Sequence, residues 1–407
     1  MLLTQEEALG RLLDLAPIQL SEETVPLMSA RGRVLAQAVR AVVDLPAWNV
    51  SMMDGYALAT GCTDGACVEA AGVEADWPVS QRVTAGCSPQ PLLAGTVARI
   101  FTGAPMPEGA DAVIMQEDCL SDGNHVSFRR APRSGDNVRR RGEDCLAGDV
   151  VLPAGWRVRA QDLALLAAVG ASHVAVRKPL RVALLSTGNE LVPPGQLPGP
   201  GQISDANKAS LTGLLQALGC EVFDRGIVAD NRPDVRQALL HAAGQADLVL
   251  TSGGVSVGDE DHVRAVVDEL GQIDVWKVAI KPGKPFAFGH LQGKPFLGLP
   301  GNPVSAFVVF LLFVRPFILR MLGVIDQEPV HFSVKSGFSR PAGKRREWLR
   351  CQRVQRDGET QVVLCPNQGS ASLTSLSAAE GLLDVPAGQP VTEGMWLEFY
   401  PMTGWVE

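Results

Sequence analysis

The chain has 407 residues, of which 46% are hydrophobic and 20% charged, and its formal net charge is −8. That length exceeds what a single hydrophobic core sustains, so about two to four domains are expected. The composition is that of an ordinary globular protein, and the acidic surplus argues against a nucleic-acid face.

The amino terminus carries Glu6 and Glu7 where a secretory signal needs basic residues, so a cytoplasmic protein is expected. Helical periodicity runs through Gln5 to Leu15 and again through Val34 to Ala41. Residues 46–144 are rich in glycine and proline, with short β-like runs at Ala98 to Phe101 and Ala112 to Met115. Helical character returns at Ala160 to Val169. This order predicts a β-rich domain (46–144) inserted into an extended, helical one made of 1–45 and 145–178.

Residues 179–325 alternate as βαβ units should. Arg181 to Thr187 is a short apolar run ending at Gly188, as expected of a buried parallel strand. A helix follows from Asp205 to Gly219, with Ser204 or Asp205 as its N-cap. The remaining strands are expected at Glu221 to Val228, Ala246 to Thr251, Asp274 to Ile280, Pro285 to Leu291 and Pro295 to Leu299. Helices are expected at Arg232 to Gln245, Asp259 to Leu270 and from Pro303 onward. A three-layer α/β domain with a mostly parallel sheet follows. The apolar run Val304 to Val314 is interrupted by Arg315, Pro316 and Arg320, which reads as a core helix too short for a bilayer. Alternating runs at His331 to Val334, Trp348 to Val354, Gln361 to Leu364 and Met395 to Phe399 predict a small β-barrel in 326–407. The eight cysteines form no CxxC pair and read as reduced, small residues.

Ligands of open α/β sheets bind beyond the carboxyl ends of the strands, and those ends are loaded here. Lys281-Pro-Gly-Lys284-Pro and Gly298-Leu-Pro300-Gly-Asn-Pro303 place lysines and close-approach turns together, a pattern suited to a tetrahedral oxyanion. Two purely structural turns are the plainer alternative. Ser252-Gly253-Gly254 runs toward a helix start, where phosphate is favoured, but it is neither a Walker loop nor a dinucleotide fingerprint. Asp259, Glu260 and Asp261 follow, and carboxylates beside phosphate call for a bridging divalent cation such as magnesium. An ordinary acidic first helical turn also accounts for Asp259 and Glu260. Glu190 and Asp230 each follow a strand, and solvated loop charges are the alternative for both. Lys277 completes the basic side of this rim, and nothing resembles a histidine metal motif. In the inserted region, Asp54 lies between methionines and glycine, Thr102 opens a Gly/Pro turn, and Arg139 starts an arginine trio ending at Asp144. The basic segment from Arg129-Arg130 through Arg139-Arg140-Arg141 reads as a small-polyanion site before a DNA face, and a solvated strand end is the alternative for the trio.

Nine motifs, in order, carry a resemblance: SMMDGYA (51–57), TGAPMPEGADAVIMQED (102–118), RRRGED (139–144), STGNEL (186–191), DANK (205–208), TSGGVSVGDEDHV (251–263), KPGKPFAFG (281–289), GLPGNPVSAF (298–307) and QGSASLTSL (368–376). Together the chain resembles the molybdopterin molybdenumtransferase family, the bacterial MoeA type related to the gephyrin E domain. The resemblance implies that adenylylated molybdopterin and molybdate bind, that a magnesium-dependent hydrolysis releases AMP, and that molybdenum is inserted. It implies a homodimer whose cleft joins the α/β domain of one subunit to the inserted domain of the other. Its matching acids are Asp54, Asp144, Glu190, Asp230 and Asp261, with Glu190 and Asp261 as magnesium ligands; its cations are Arg139, Lys277 and Lys281. Thr102, Pro300, Pro303 and Ser370 match its motif turns, and Asn189 departs from a frequent aspartate. The molybdopterin adenylyltransferase and the recipient apo-enzymes or their chaperones are the implied partners. A clustering scaffold and an adenylyltransferase, whose fold resembles 180–325 alone, are the competing functions.

Overall fold

A computed structural model describes residues 2–18, 21–61, 75–254, 262–356 and 358–405. Cys62, Cys67, Asp259, Glu260 and Asp261 lie outside the described residues.

The α/β domain is built on Arg181–Thr187, whose residues after the first are all buried. Strand geometry sends successive side chains to opposite faces. Accordingly Val182 and Leu184 join one core, while Ala183 and Leu185 join another. Helices Ala206–Ala217 and Pro303–Val309 cover the first face, and Arg232–Gln245 and His262–Leu270 cover the second. The strand order is Glu221–Val228, Arg181–Thr187, Leu248–Ser252, Lys294–Leu299, Pro285–Leu291, Gly271–Lys277. The first four are parallel and the last two extend the sheet as antiparallel neighbours. The edge strand thus ends at Lys277 and not at Ile280 as the sequence suggests. Lys277 faces Pro285, which has no N–H to continue the ladder.

The apolar helix is longer than its composition suggests. It runs from Pro303 to Met321, 19 residues, with 89% of its most apolar window buried inside the protein. Arg315 and Pro316 do not break it, because the preceding turn Phe310–Val314 is π-helical and precedes the missing proline donor.

Helix Gln5–Asp14 is closed by a capping box, with Thr4 Oγ1 accepting from Glu7 N and Glu7 Oε2 from Thr4 N. Its buried Ala8 and Leu12 pack into the α/β core, not into the rest of 1–45. That rest pairs strand Glu22–Pro26 with His173–Arg177, and Val39–Arg40 with Val150–Leu152. Residues 34–41 are not helical. Leu35 N donates to Trp156 O and Ala36 N to Ala175 O, so cross-chain pairing overrides the local period.

Asp162 holds this unit together from helix Ala160–Ala168. It is 4% exposed and accepts from Trp156 Nε1, Arg159 N and the Arg159 guanidinium. Burial raises its carboxyl pKa, but the Arg159 and Trp156 hydrogen bonds outweigh it and hold the group below the usual carboxylate range. Its contribution is therefore present above the ordinary carboxylate pKa and lost as pH falls through the lowered folded value. Asp162→Ala is expected to cost about 2 kcal/mol at pH 7, read by urea denaturation, with a smaller difference at acid pH.

The inserted domain is a six-stranded sheet ordered Ala112–Met115, Gly55–Leu58, Val97–Ile100, Trp77–Val83, His125–Phe128, Cys119–Ser121. At the carboxyl end, Phe332–Ser336, Arg346–Arg356, Glu359–Leu364, Gly381–Val385 and Trp396–Pro401 close into a barrel. The short strand Ile280–Lys281 pairs in parallel with Arg346 and Glu347, stitching the barrel to the α/β domain. Cys220, Cys351 and Cys365 are buried, and burial pushes the Cys220 thiol up to about 12.

Candidate active site

A cleft of about 750 Å³ opens at the carboxyl ends of the parallel strands. Glu190, Asp230, Ser252, Gly253, Gly254, Pro300 and Pro303 all line it. Backbone geometry explains how they meet. Gly188 has φ +150°, and a Cβ there would lie 2.5 Å from Glu190 Oε2, so glycine lets that carboxylate fold back over the turn. Gly254 has φ +66°, and its Cβ would lie 2.4 Å from Val263 Cγ2. Asn189 Oδ1 accepts from Asp230 N at 3.1 Å, tying together the loops that carry Glu190 and Asp230.

Two further residues build the cleft: Asn207, whose role no local signal marks, and Asp205, one of the two N-cap residues expected from sequence. Asn207 Nδ2 donates to Ser252 Oγ at 2.7 Å and to Gly301 O at 2.8 Å, pinning two lining loops to one helix start. The motif DANK contains it, but nothing local reveals those distant acceptors. Asp205 caps the same helix through Oδ1, which accepts from Lys208 N at 3.1 Å. Its buried Oδ2 has no hydrogen-bond partner among the described residues.

The barrel supplies one wall through Ala371 and Leu373. The carbonyl of Ser370 accepts from Val304 N at 3.0 Å, docking this loop on the Pro303 helix. Arg350, fully buried, fixes the loop from inside. Its Nη2 donates to Asn367 O and Gly369 O, each at 3.0 Å, and Nε to Ser375 Oγ at 2.9 Å. Burial pushes its guanidinium pKa down.

Lys277 and Lys281 are not among the lining residues. Lys277 ends the edge strand, where its carbonyl accepts from Leu3 N at 3.0 Å. Lys281 Nζ donates to Glu347 Oε1 at 2.8 Å across the seam with the barrel. Pro285, in the same KPGKP segment, does line the cleft, so the lysine segment borders it.

The inserted domain holds the remaining candidates as a separate group. Thr102 donates from both N and Oγ1 to Asp54 Oδ1, each at 2.8 Å. These bonds, the backbone one foremost, hold the Asp54 carboxyl below its usual range. Arg139 is ion-paired with Asp144. Arg99 lies 4.6 Å from the Phe101 ring centroid and donates to Gly55 O at 2.9 Å. None of these residues lines the cleft of their own chain. Chemically, the cleft offers carboxylates, hydroxyls and glycine turns for a phosphorylated ligand, and the seam offers cations.

Residues 3–170 match the family described as MoeA N-terminal region (domain I and II), 183–320 a probable molybdopterin binding domain, and 334–402 the MoeA C-terminal region (domain IV). The molybdopterin molybdenumtransferase of Haemophilus influenzae is 40% identical over 342 residues, covering 82% of this chain and 81% of that one. That of Synechococcus elongatus is 36% identical over 400 residues, covering 96% of each. A crystal structure of the molybdopterin biosynthesis MoeA protein from Pyrococcus horikoshii superposes with a TM-score of 0.79 at 31% identity, covering 100% of both chains. The chain belongs to the MoeA family of molybdopterin molybdenumtransferases.

Proposed function

We propose that this chain inserts molybdenum from molybdate into adenylylated molybdopterin, with hydrolysis of the phosphoanhydride and release of AMP. The observation that carries the reading is the cleft itself, where Ser252, the Gly253-Gly254 turn and two carboxylates converge at the strand ends. In the hydrolysis, water adds to one phosphorus, the P–O–P bond breaks, and AMP and molybdopterin phosphate part with loss of a proton.

Glu190 and Asp230 are hard oxygen donors on one cleft and fit a magnesium ion that completes its shell with water and substrate phosphate. Asp261 is the further proposed ligand. When bound, the cation neutralises charge developing on the phosphoanhydride. The protein's own part is positioning. The Gly188 and Gly254 turns make room for the Glu190 carboxylate and for Val263, Asn207 holds Ser252, and the Arg350-anchored loop closes one side. Lys281 and Lys277 attract molybdate oxygens electrostatically.

The reading includes a homodimer. Asp54, Thr102, Arg139 and Asp144 are pre-organised but do not line their own cleft, which supports their acting on the cleft of a second copy. Trp48, Met52 and Met53 near them are 67%, 51% and 40% exposed, which is apolar surface suited to burial between subunits.

The test is AMP release from adenylylated molybdopterin with magnesium, with and without molybdate. Molybdate-stimulated release accompanied by active cofactor is expected. Binding of the nucleotide without release would move the function to a carrier.

A further inference from the structure

The lysine of the KPGKP segment does not stand alone. Backbone pairing sets Lys281 directly opposite Glu347. Glu347 is 4% exposed, a carboxylate sunk in the joint between two domains. Arg340 takes it from the barrel side through both nitrogens, Nε to Oε2 at 2.8 Å and Nη2 to Oε1 at 3.2 Å. Lys281 Nζ takes Oε1 at 2.8 Å, and its side chain remains 49% exposed. The arrangement is therefore asymmetric. A bidentate guanidinium satisfies the buried charge, and the ammonium is surplus positive charge held at the surface. Burial raises the Glu347 carboxyl, yet the bonds from Arg340 and Lys281 outweigh it and keep the group below the usual carboxylate range. A free lysine tail has rotamer entropy to lose, so an ammonium already fixed loses less on meeting an anion. Arg345 Nη1 also donates to Ile280 O at 2.7 Å, clamping the backbone on which Lys281 stands.

We propose that Glu347 is a positioning residue for molybdate binding, fixing the Lys281 ammonium while Arg340 cancels the glutamate's charge. The inference rests on the reading above that Lys281 attracts molybdate oxygens. It also makes a prediction of sign. Simple charge addition says that Glu347→Gln raises the local positive charge and tightens anion binding, whereas loss of positioning weakens it.

The experiment is molybdate binding to the full chain by calorimetry, for wild type, Lys281→Ala, Glu347→Gln and the double variant, with melting curves alongside. Each single substitution is expected to weaken binding about tenfold, and the double variant to be no weaker than Lys281→Ala alone. Unchanged or tighter binding by Glu347→Gln overturns the proposal, as does a loss that adds in full to that of Lys281→Ala. If Lys281→Ala binds molybdate like wild type, the Lys281 reading fails and the proposal with it. Should Glu347→Gln not fold, Glu347→Asp carries the same cycle, since it keeps the charge for Arg340 but shortens the reach to Lys281. Loss with Glu347→Asp only when Lys281 is present supports the proposal, and equal loss in both backgrounds overturns it.

Discussion

Replacing Lys281 with alanine is expected to slow molybdate-dependent AMP release by about a hundredfold while leaving the fold intact. The two halves of that expectation come from different parts of the structure. The fold is spared because Glu347 keeps its two-point contact with Arg340 when the lysine goes. The lost pair is half-exposed on the lysine side, and such pairs contribute about 0–1 kcal/mol. The rate suffers because an ammonium held beside a developing or bound oxyanion acts without reorganising. Steady-state rates at saturating nucleotide, together with a thermal melt, check both halves. A variant that melts normally and turns over at the wild-type rate would remove Lys281 from the machinery.

Arg350→Met is expected to destabilise the barrel by about 2–4 kcal/mol and to depress activity beyond what stability explains. Methionine fills much of the volume but donates nothing. The carbonyls of Asn367 and Gly369 and the hydroxyl of Ser375 would each lose a buried donor. Removing a buried guanidinium gives some of this back, because no carboxylate pairs with it among the described residues and its burial is costly. The activity loss follows from the loop. With its anchor gone, the segment that carries Ser370 and sets Ala371 and Leu373 in the cleft wall loosens. Urea denaturation and AMP release at a temperature where both proteins are folded separate the two effects. Wild-type behaviour in both would mean that Gln368, which brackets the Arg350 backbone at 3.0 and 2.8 Å, suffices to hold the loop.

The α/β domain was readable because its signals are local. Arg181–Thr187, Glu221–Val228, Arg232–Gln245 and Pro285–Leu291 are each bounded by a cap, glycine or proline that their own segment contains. Residues 34–41 misread as helix because their partners, Trp156 and Ala175, are far along the chain. Strand Gly381–Val385 carries no local signature: it follows closely on helix Leu373–Ala378 and has no alternating face, being buried throughout. The cleft acids Glu190 and Asp230 could be placed because they sit just past strand ends. Glu347 and Arg340 could not, since only the pairing of Lys281 with Glu347 across two domains brings them to the lysine. The hydrogen bonds from Thr102 to Asp54 are likewise invisible to spacing, since the two lie 48 positions apart.

The helix Gln5–Asp14 has a consequence for how the chain is made. Its buried Ala8 and Leu12 join the core that holds Phe313 and Phe317, and Gln5 accepts from Trp348 Nε1, a partner 343 positions away. At ordinary ribosomal speed, this helix waits on the order of tens of seconds before the surface it fits exists. Until then its leucines are open to any passing apolar groove, so the barrel closes an element made 343 positions earlier, and this core stays incomplete until that later segment folds.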